Sequence, residues 1–190
     1  HTRYWRDWSS DVCSSDLPAM QALRECQMPV VVAVNGVAAG GGFSLAMSGD
    51  IILAARSASF IQVFSRIGLV PDLGSTWLLP RLIGRQRALD LMLLNEPLSA
   101  ERAKEWGLVR EVVDDAKLLD EAKVLAGRLA DGPTRALVAT RQLLEESEHA
   151  SYAEQFRREI ELQSIIRESA DAQEGRKAFV EKRKAQFTGR

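Results

Sequence analysis

One stretch constrains this chain more than any other: "VVVAVNGVAAGGGFSLAMSGDIILAA", residues 30–55. Val30–Val34 is a continuous run, almost all β-branched, as expected of a strand buried on both faces. Asn35-Gly36 turns the chain, Gly40-Gly41-Gly42 follows, and "FSLAMSG" then has helical apolar spacing. Residues 50–55, "DIILAA", return as a second strand. A strand, a glycine run, a helix start and another strand argue for an α/β fold.

The rest of the pattern agrees. "PAMQALRECQ" reads as the end of a helix stopped by Met28-Pro29, because proline disfavours helix in the residue before it. "SASFIQ" (57–62) is a short candidate strand. "GSTWLLPRLIG" and "RQRALDLMLLN" read as consecutive helices interrupted near Pro80 and Gly84. Ser99 suits the N-cap of "AERAKEW", with Gly107 just past its end. "LVREVVD" (108–114) is a short strand. Helices are expected over Ala116–Ala130, Thr134–Glu146 and Tyr152–Arg167, with a last one from Asp171 in which Gly175 suggests a fray or a packing constraint. The expected organisation is an α/β core over 18–114 and a helical section over 115–190.

Composition excludes more than it identifies. The chain has 190 residues, 46% hydrophobic and 27% charged, with a formal net charge of −1. That balance offers no electrostatic case for nucleic acid or an anionic membrane. Its longest apolar runs are far too short to span a bilayer. Cys13 and Cys26 have neither metal-ligand spacing nor a C-x-x-C pattern, and a reducing cytoplasm is the simplest compartment. Residues 1–17, "HTRYWRDWSSDVCSSDL", follow neither helical nor strand periodicity and lack the apolar core of a signal peptide. They resemble translated sequencing-adapter DNA and are read as a non-native tail.

Glycines between a strand and a helix start form a general anion site. The spacing rejects three specific versions. A P-loop would need Lys-Ser/Thr where Gly42-Phe43 stand. A dinucleotide fingerprint would need a further spaced glycine where Leu45 stands. A nucleophile elbow would need glycine where Ala46 stands, and a histidine base as well. Two readings stay open: an oxyanion site at the Gly41 N–H, or a close strand–helix crossing that demands small residues. Asp72, in "GLVPDLGSTW", is likewise either a turn former or a base facing that site.

The motifs "NGVAAGGGFSLAMSGDIILAA", "SASF", "GLVPDLGSTWLLPRLIG", "EPLSAERAKEWGLV" and "EGRKAFVEKRKAQF" resemble the crotonase (enoyl-CoA hydratase/isomerase) superfamily, in order, over residues 18–190. "GLVPD", "EPLSAE" and the terminal "FTGR" are most similar to its phenylacetate-pathway branch, isomerases of ring-epoxidised phenylacetyl-CoA. The resemblance implies a spiral of ββα units, a homotrimer or dimer of trimers built through the helical section, and a CoA thioester as substrate. It implies no metal and no cofactor other than the CoA of the substrate itself. Hydratases of the family use two glutamates; the matching positions here are Ser44 and Phe64. The isomerase acid matches Asp72, with the Gly41 N–H holding the enolate. Ala39, Gly40, Phe64 and Trp77 are then expected to line the substrate. Phe179 and Lys182 match positions that hold CoA, although from the residues alone Lys182 is a solvated helix charge.

The expected activity is therefore isomerisation of a CoA thioester, 1,2-epoxyphenylacetyl-CoA or an enoyl-CoA, by one carboxylate. Hydration of an enoyl-CoA and catalytically silent acyl-CoA binding are the alternatives. Family members carry early strands and a second oxyanion donor upstream of the segment seen here, so the chain as written is expected to be inactive or nearly so.

Overall fold

A computed structural model describes residues 16–190. The reading of residues 1–17 as a tail falls outside the described residues except at Asp16 and Leu17, which already lie in helix α1 (16–24). Chain contacts divide the protein into two compact units. The first comprises the described residues up to Cys26 together with Val30–Ala122; the second comprises Gln27–Pro29 and Lys123–Arg190.

Two small sheets build the first unit. In one, β1 (Val31–Val34) pairs in parallel with β3 (Ile51–Ala55), and β3 with β6 (Glu111–Val113). In the other, β2 (Val37–Ala39) runs parallel to β4 (Ser59–Ile61), which pairs antiparallel with β5 (Leu98–Ser99). A parallel β1–β3 pair needs a crossover, and β2 with α2 (Gly41–Ala46) supplies it. Phe43 of α2 is fully buried against Phe60 of β4, ring centroids 5.1 Å apart. That contact fastens the glycine-led helix to the second sheet.

Three local expectations are adjusted. The strand expected over 108–114 shortens to β6, because the Leu108 and Val109 N–H groups both donate to Ala103 O and close α5 (Ala100–Glu105). Only at Arg110, whose N–H donates to Ile52 O, does the ladder begin. Pro80 does not interrupt α3 (Ser75–Ile83); it forfeits one backbone bond inside the helix, and the break before α4 (Arg85–Leu94) comes at Gly84 alone. After β4 the chain enters a 3-10 turn, Val63–Ile67, that the sequence did not announce. Ser99 caps α5 as expected, its Oγ accepting from Arg102 N–H.

A 3-10 turn (Asp115–Lys117) leads into α6 (Leu118–Ala130), where the division between the units falls. The second unit continues with α7 (Thr134–Ser147), α8 (Tyr152–Ile166) and α9 (Ala170–Glu181). Ser151 and Glu154 form a reciprocal capping box at the start of α8. Past α9 the chain folds back on it: the Asp171 carboxylate accepts from the Thr188 and Gly189 N–H groups at 2.7 and 2.8 Å. The Phe187 ring packs over Gly175 at ordinary contact distance, 3.4 Å from a Cβ position, so space alone does not demand the glycine. No helix among the described residues is long and apolar enough to cross a membrane.

Candidate active site

The β2–α2 junction turns on Gly40, at φ +51° and ψ −120°. That region is open to glycine and strained for any residue with a Cβ. Space makes the same demand: a Cβ at Gly40 would stand 3.2 Å from Val63 Cγ2 and 3.6 Å from Phe64 Cζ. The Gly40 N–H donates to Ile61 O at 2.9 Å, and Gly40 O accepts from Ser44 N–H, so the junction is held on both sides. Gly41 and Gly42 open α2. Their N–H groups therefore have no carbonyl one turn back within the helix to bond.

Asp72 arrives from the opposite direction. The 3-10 turn ends at Gly68, in the left-handed region, and "GLVPD" carries the chain to the start of α3. There Asp72 Oδ1 lies 3.9 Å, and Leu73 Cδ1 3.2 Å, from where a Cβ on Gly41 would stand. The carboxylate and the helix-opening glycine thus share one spot. Asp72 is surface-exposed, yet loss of water from the carboxyl raises its pKa above 3.8. The nearby Asp16 charge raises it further, and a backbone hydrogen bond opposes both.

The two positions matching the hydratase glutamates hold no acid. Ser44 is fully buried, and its hydroxyl donates to Gly40 O within its own helix. Phe64 is buried against Gly40. Ala39, the exposed last residue of β2, sits in register with Ile61. Gly40, Gly41, Phe64 and Asp72 are thereby brought together. Trp77, half-buried on α3, stacks its ring under the guanidinium groups of Arg81 (4.0 Å to the centroid) and Arg24 (4.6 Å). Phe179 and Lys182 belong to the second unit, Phe179 exposed on α9 and Lys182 ending that helix at φ +54°.

One pair escaped the sequence reading. Gln62 and Ser75 are both fully buried, and Gln62 Nε2 donates to Ser75 Oγ at 2.9 Å. Nothing local marks two polar residues thirteen positions apart as partners.

Against known proteins, residues 8–190 match the family described as enoyl-CoA hydratase/isomerase. The match takes in residues 8–17 of the segment set aside above. The 1,2-epoxyphenylacetyl-CoA isomerase of Escherichia coli K12 is 49% identical over 173 residues, 91% of this chain and 66% of that protein. A protein of Rhodobacter capsulatus named a probable enoyl-CoA hydratase is 43% identical, over 91% of this chain and 67% of its own length. A solved enoyl-CoA hydratase from Polaromonas superposes with a TM-score of 0.91 at 32% identity, covering 96% of this chain and 71% of the other. The chain spans about two thirds of the length of the two curated relatives.

Proposed function

Because this chain belongs to the enoyl-CoA hydratase/isomerase family, we propose that it forms the core of a CoA-thioester isomerase. Asp72 serves as the only acid–base group and the Gly41 N–H as an oxyanion donor. The observation that carries this reading is the Asp72 carboxylate beside Gly41, with serine and phenylalanine at the positions of the hydratase glutamates.

The thioester carbonyl oxygen accepts from the Gly41 N–H. Asp72 takes a proton from a carbon of the acyl chain, and the electron pair moves onto that oxygen as an enolate. With an enoyl-CoA the same carboxyl returns the proton to another carbon, the double bond shifts, and substrate and product have the same composition. One oxyanion donor is worth about 2.7–4 kcal/mol of transition-state stabilisation. Ionisation at Asp72 costs more than in water, which makes the carboxylate a stronger base. Phe64 keeps the Gly40 side of the site apolar and short of the water that hydration would consume.

The substrate class we favour is a ring-epoxidised phenylacetyl-CoA, supported by the 49% identity to the E. coli isomerase of 1,2-epoxyphenylacetyl-CoA. Hydration of an enoyl-CoA is the second reading, favoured by the name of the R. capsulatus relative. Product mass separates them: isomerisation leaves it unchanged, and hydration adds one water. The helical unit leaves Leu144, Phe156, Ile160, Ile165 and Val180 exposed, which supports a trimer or dimer of trimers. Proton exchange at the acyl chain in deuterated water tests the core of the reading. An intact enzyme carrying this chain that neither exchanges nor isomerises would leave only silent acyl-CoA binding.

A further inference from the structure

Four consecutive residues, Ile61–Phe64, touch both halves of the site. On the glycine side, Ile61 O accepts from Gly40 N–H at 2.9 Å, and Val63 and Phe64 pack where a Gly40 side chain would go. On the acid side, Phe64 O accepts from Leu69 N–H at 3.0 Å, holding the start of the loop that leads to Asp72. The end of that loop is held by Gln62, whose amide donates to the Ser75 hydroxyl.

The loop needs holding at that end. Asp72 is followed by two residues in the left-handed region, Leu73 at φ +50° and Gly74 at φ +77°. For leucine this conformation is unfavourable and persists only where the surroundings impose it. The Ser75 N–H donates to Asp72 O at 2.9 Å, so Ser75 closes the turn that aims the carboxylate. The serine that closes the turn is the one Gln62 grips.

Stability does not account for this contact. Gln62 Oε1 is buried and has no partner among the described residues. A buried amide with one half unsatisfied carries a desolvation cost, and replacing both members of such a pair by apolar groups of similar shape is nearly neutral or stabilising. The contact does fix geometry. It ties the residue that closes the Asp72 turn to the strand end whose carbonyl fixes Gly40.

We infer that Gln62 is a positioning residue: through Ser75 it sets the Asp72 carboxylate against the Gly41 N–H, and so controls turnover without touching substrate. This rests on the assignment of Asp72 as the base.

The test compares Gln62→Met, Ser75→Ala and Ser75→Thr with Asp72→Asn, and adds the double variant Gln62→Met/Asp72→Asn, all in the intact enzyme. Methionine keeps the length of glutamine without its amide. Kinetics are read as kcat and KM separately, with thermal melting on every variant. Misplacing a reacting group by about 1 Å costs about 10²-fold. Gln62→Met and Ser75→Ala are therefore expected to lower kcat by roughly 10- to 100-fold with little change in KM, while melting falls only modestly, from the one buried polar group each leaves unpaired. Ser75→Thr keeps the hydroxyl and restores most of the kcat lost in Ser75→Ala. A purely packing role predicts the reverse, with alanine tolerated and the bulkier threonine harmful.

In the Asp72→Asn background, Gln62→Met should cost nothing further, because the group it positions is already gone. A full additional loss would overturn the inference, as would Gln62→Met and Ser75→Ala enzymes that melt and turn over like the parent. Should Gln62→Met fail to fold, the Ser75→Ala and Ser75→Thr pair still decides. If Asp72→Asn itself turns over normally, the base assignment falls. If only the Gln62 and Ser75 variants do, the positioning role falls alone.

Discussion

Asp72 Oδ1 stands 3.9 Å from the point where a Cβ on Gly41 would sit, although thirty-one positions separate the two residues in the sequence. Neither residue is unusual alone. Gly41 opens a short helix, and Asp72 sits in a proline-glycine turn. Together they place a proton acceptor near a glycine whose N–H has no partner within its own helix, and an enolate intermediate would need one group to take the proton and one to hold the charge.

Asp72→Asn keeps the shape and hydrogen-bonding capacity of the side chain and removes the base. Turnover in the intact enzyme is expected to fall by about 10²–10⁴-fold with the fold retained. Steady-state kinetics beside a circular-dichroism spectrum check it; a native spectrum with parental turnover would remove Asp72 from the mechanism.

The pH dependence follows from the same carboxyl. Loss of water from Asp72 raises its pKa above 3.8, so the ionised, proton-accepting form appears only at higher pH than for a free aspartate. The acid limb of kcat/KM should accordingly be displaced upward from 3.8. For stability the sign is opposite. A carboxyl whose folded pKa is raised contributes fully below its unfolded value, and that contribution is lost as pH rises through the folded value. Rate and melting profiles of the intact enzyme against pH measure both effects.

Gly40→Ala tests the backbone half of the site. The added methyl meets Val63 Cγ2 at 3.2 Å, and φ +51° with ψ −120° is itself strained for alanine, a cost of about 1–3 kcal/mol before any repacking. A lower melting temperature and a larger loss in kcat than in KM are expected. Unchanged melting would mean that the junction relaxes freely, contrary to its three anchors at Ile61, Val63 and Phe64.

Much of this site was legible in the sequence because its signals are local. The glycine run marked the β2–α2 junction, and proline beside Asp72 marked the turn. Ser99 marked a helix start that the Arg102 N–H confirms. What was hidden depends on contacts distant in sequence. Leu73 adopts a conformation that leucine does not advertise, and Gln62 and Ser75 become partners only once β4 and α3 meet. Pro80 misled for a related reason. Packing of Leu79 and Ile83, both buried, holds α3 together across the missing hydrogen bond.

Hydration of a short trans-enoyl-CoA should be slow in the unaltered enzyme. A water needs one group to take its proton and another to deliver one to the acyl chain. Ser44 donates its hydroxyl to Gly40 O, and Phe64 has no proton to give. Efficient hydratase kinetics, read by loss of the enoyl thioester absorbance, would require an acid–base group other than these positions supply.

The last expectation concerns the second unit, where the returning tail is fastened by charge. Glu174 accepts from Arg183 Nη1 at 2.5 Å and Nη2 at 2.9 Å, and its Oε1 also accepts from the Gln186 N–H at 2.9 Å. Above all the Arg183 guanidinium, and then that backbone donor, hold its carboxyl down at about 2 against an ordinary 4.5. A depressed carboxyl contributes stability that is fully present above its unfolded pKa and is lost as pH falls through the folded one. The tail should therefore loosen between about 4.5 and 2 and stay fastened at neutral pH. The pair is partly solvated, so salt should weaken it. Glu174→Gln removes the charge while keeping an acceptor for the Gln186 N–H. Amide hydrogen exchange at Gln186 and Thr188 should rise in this variant at neutral pH, and should lose the part of its acid dependence that Glu174 supplies. Equal exchange in parent and variant would show that Asp171 alone, through Thr188 and Gly189, secures the tail.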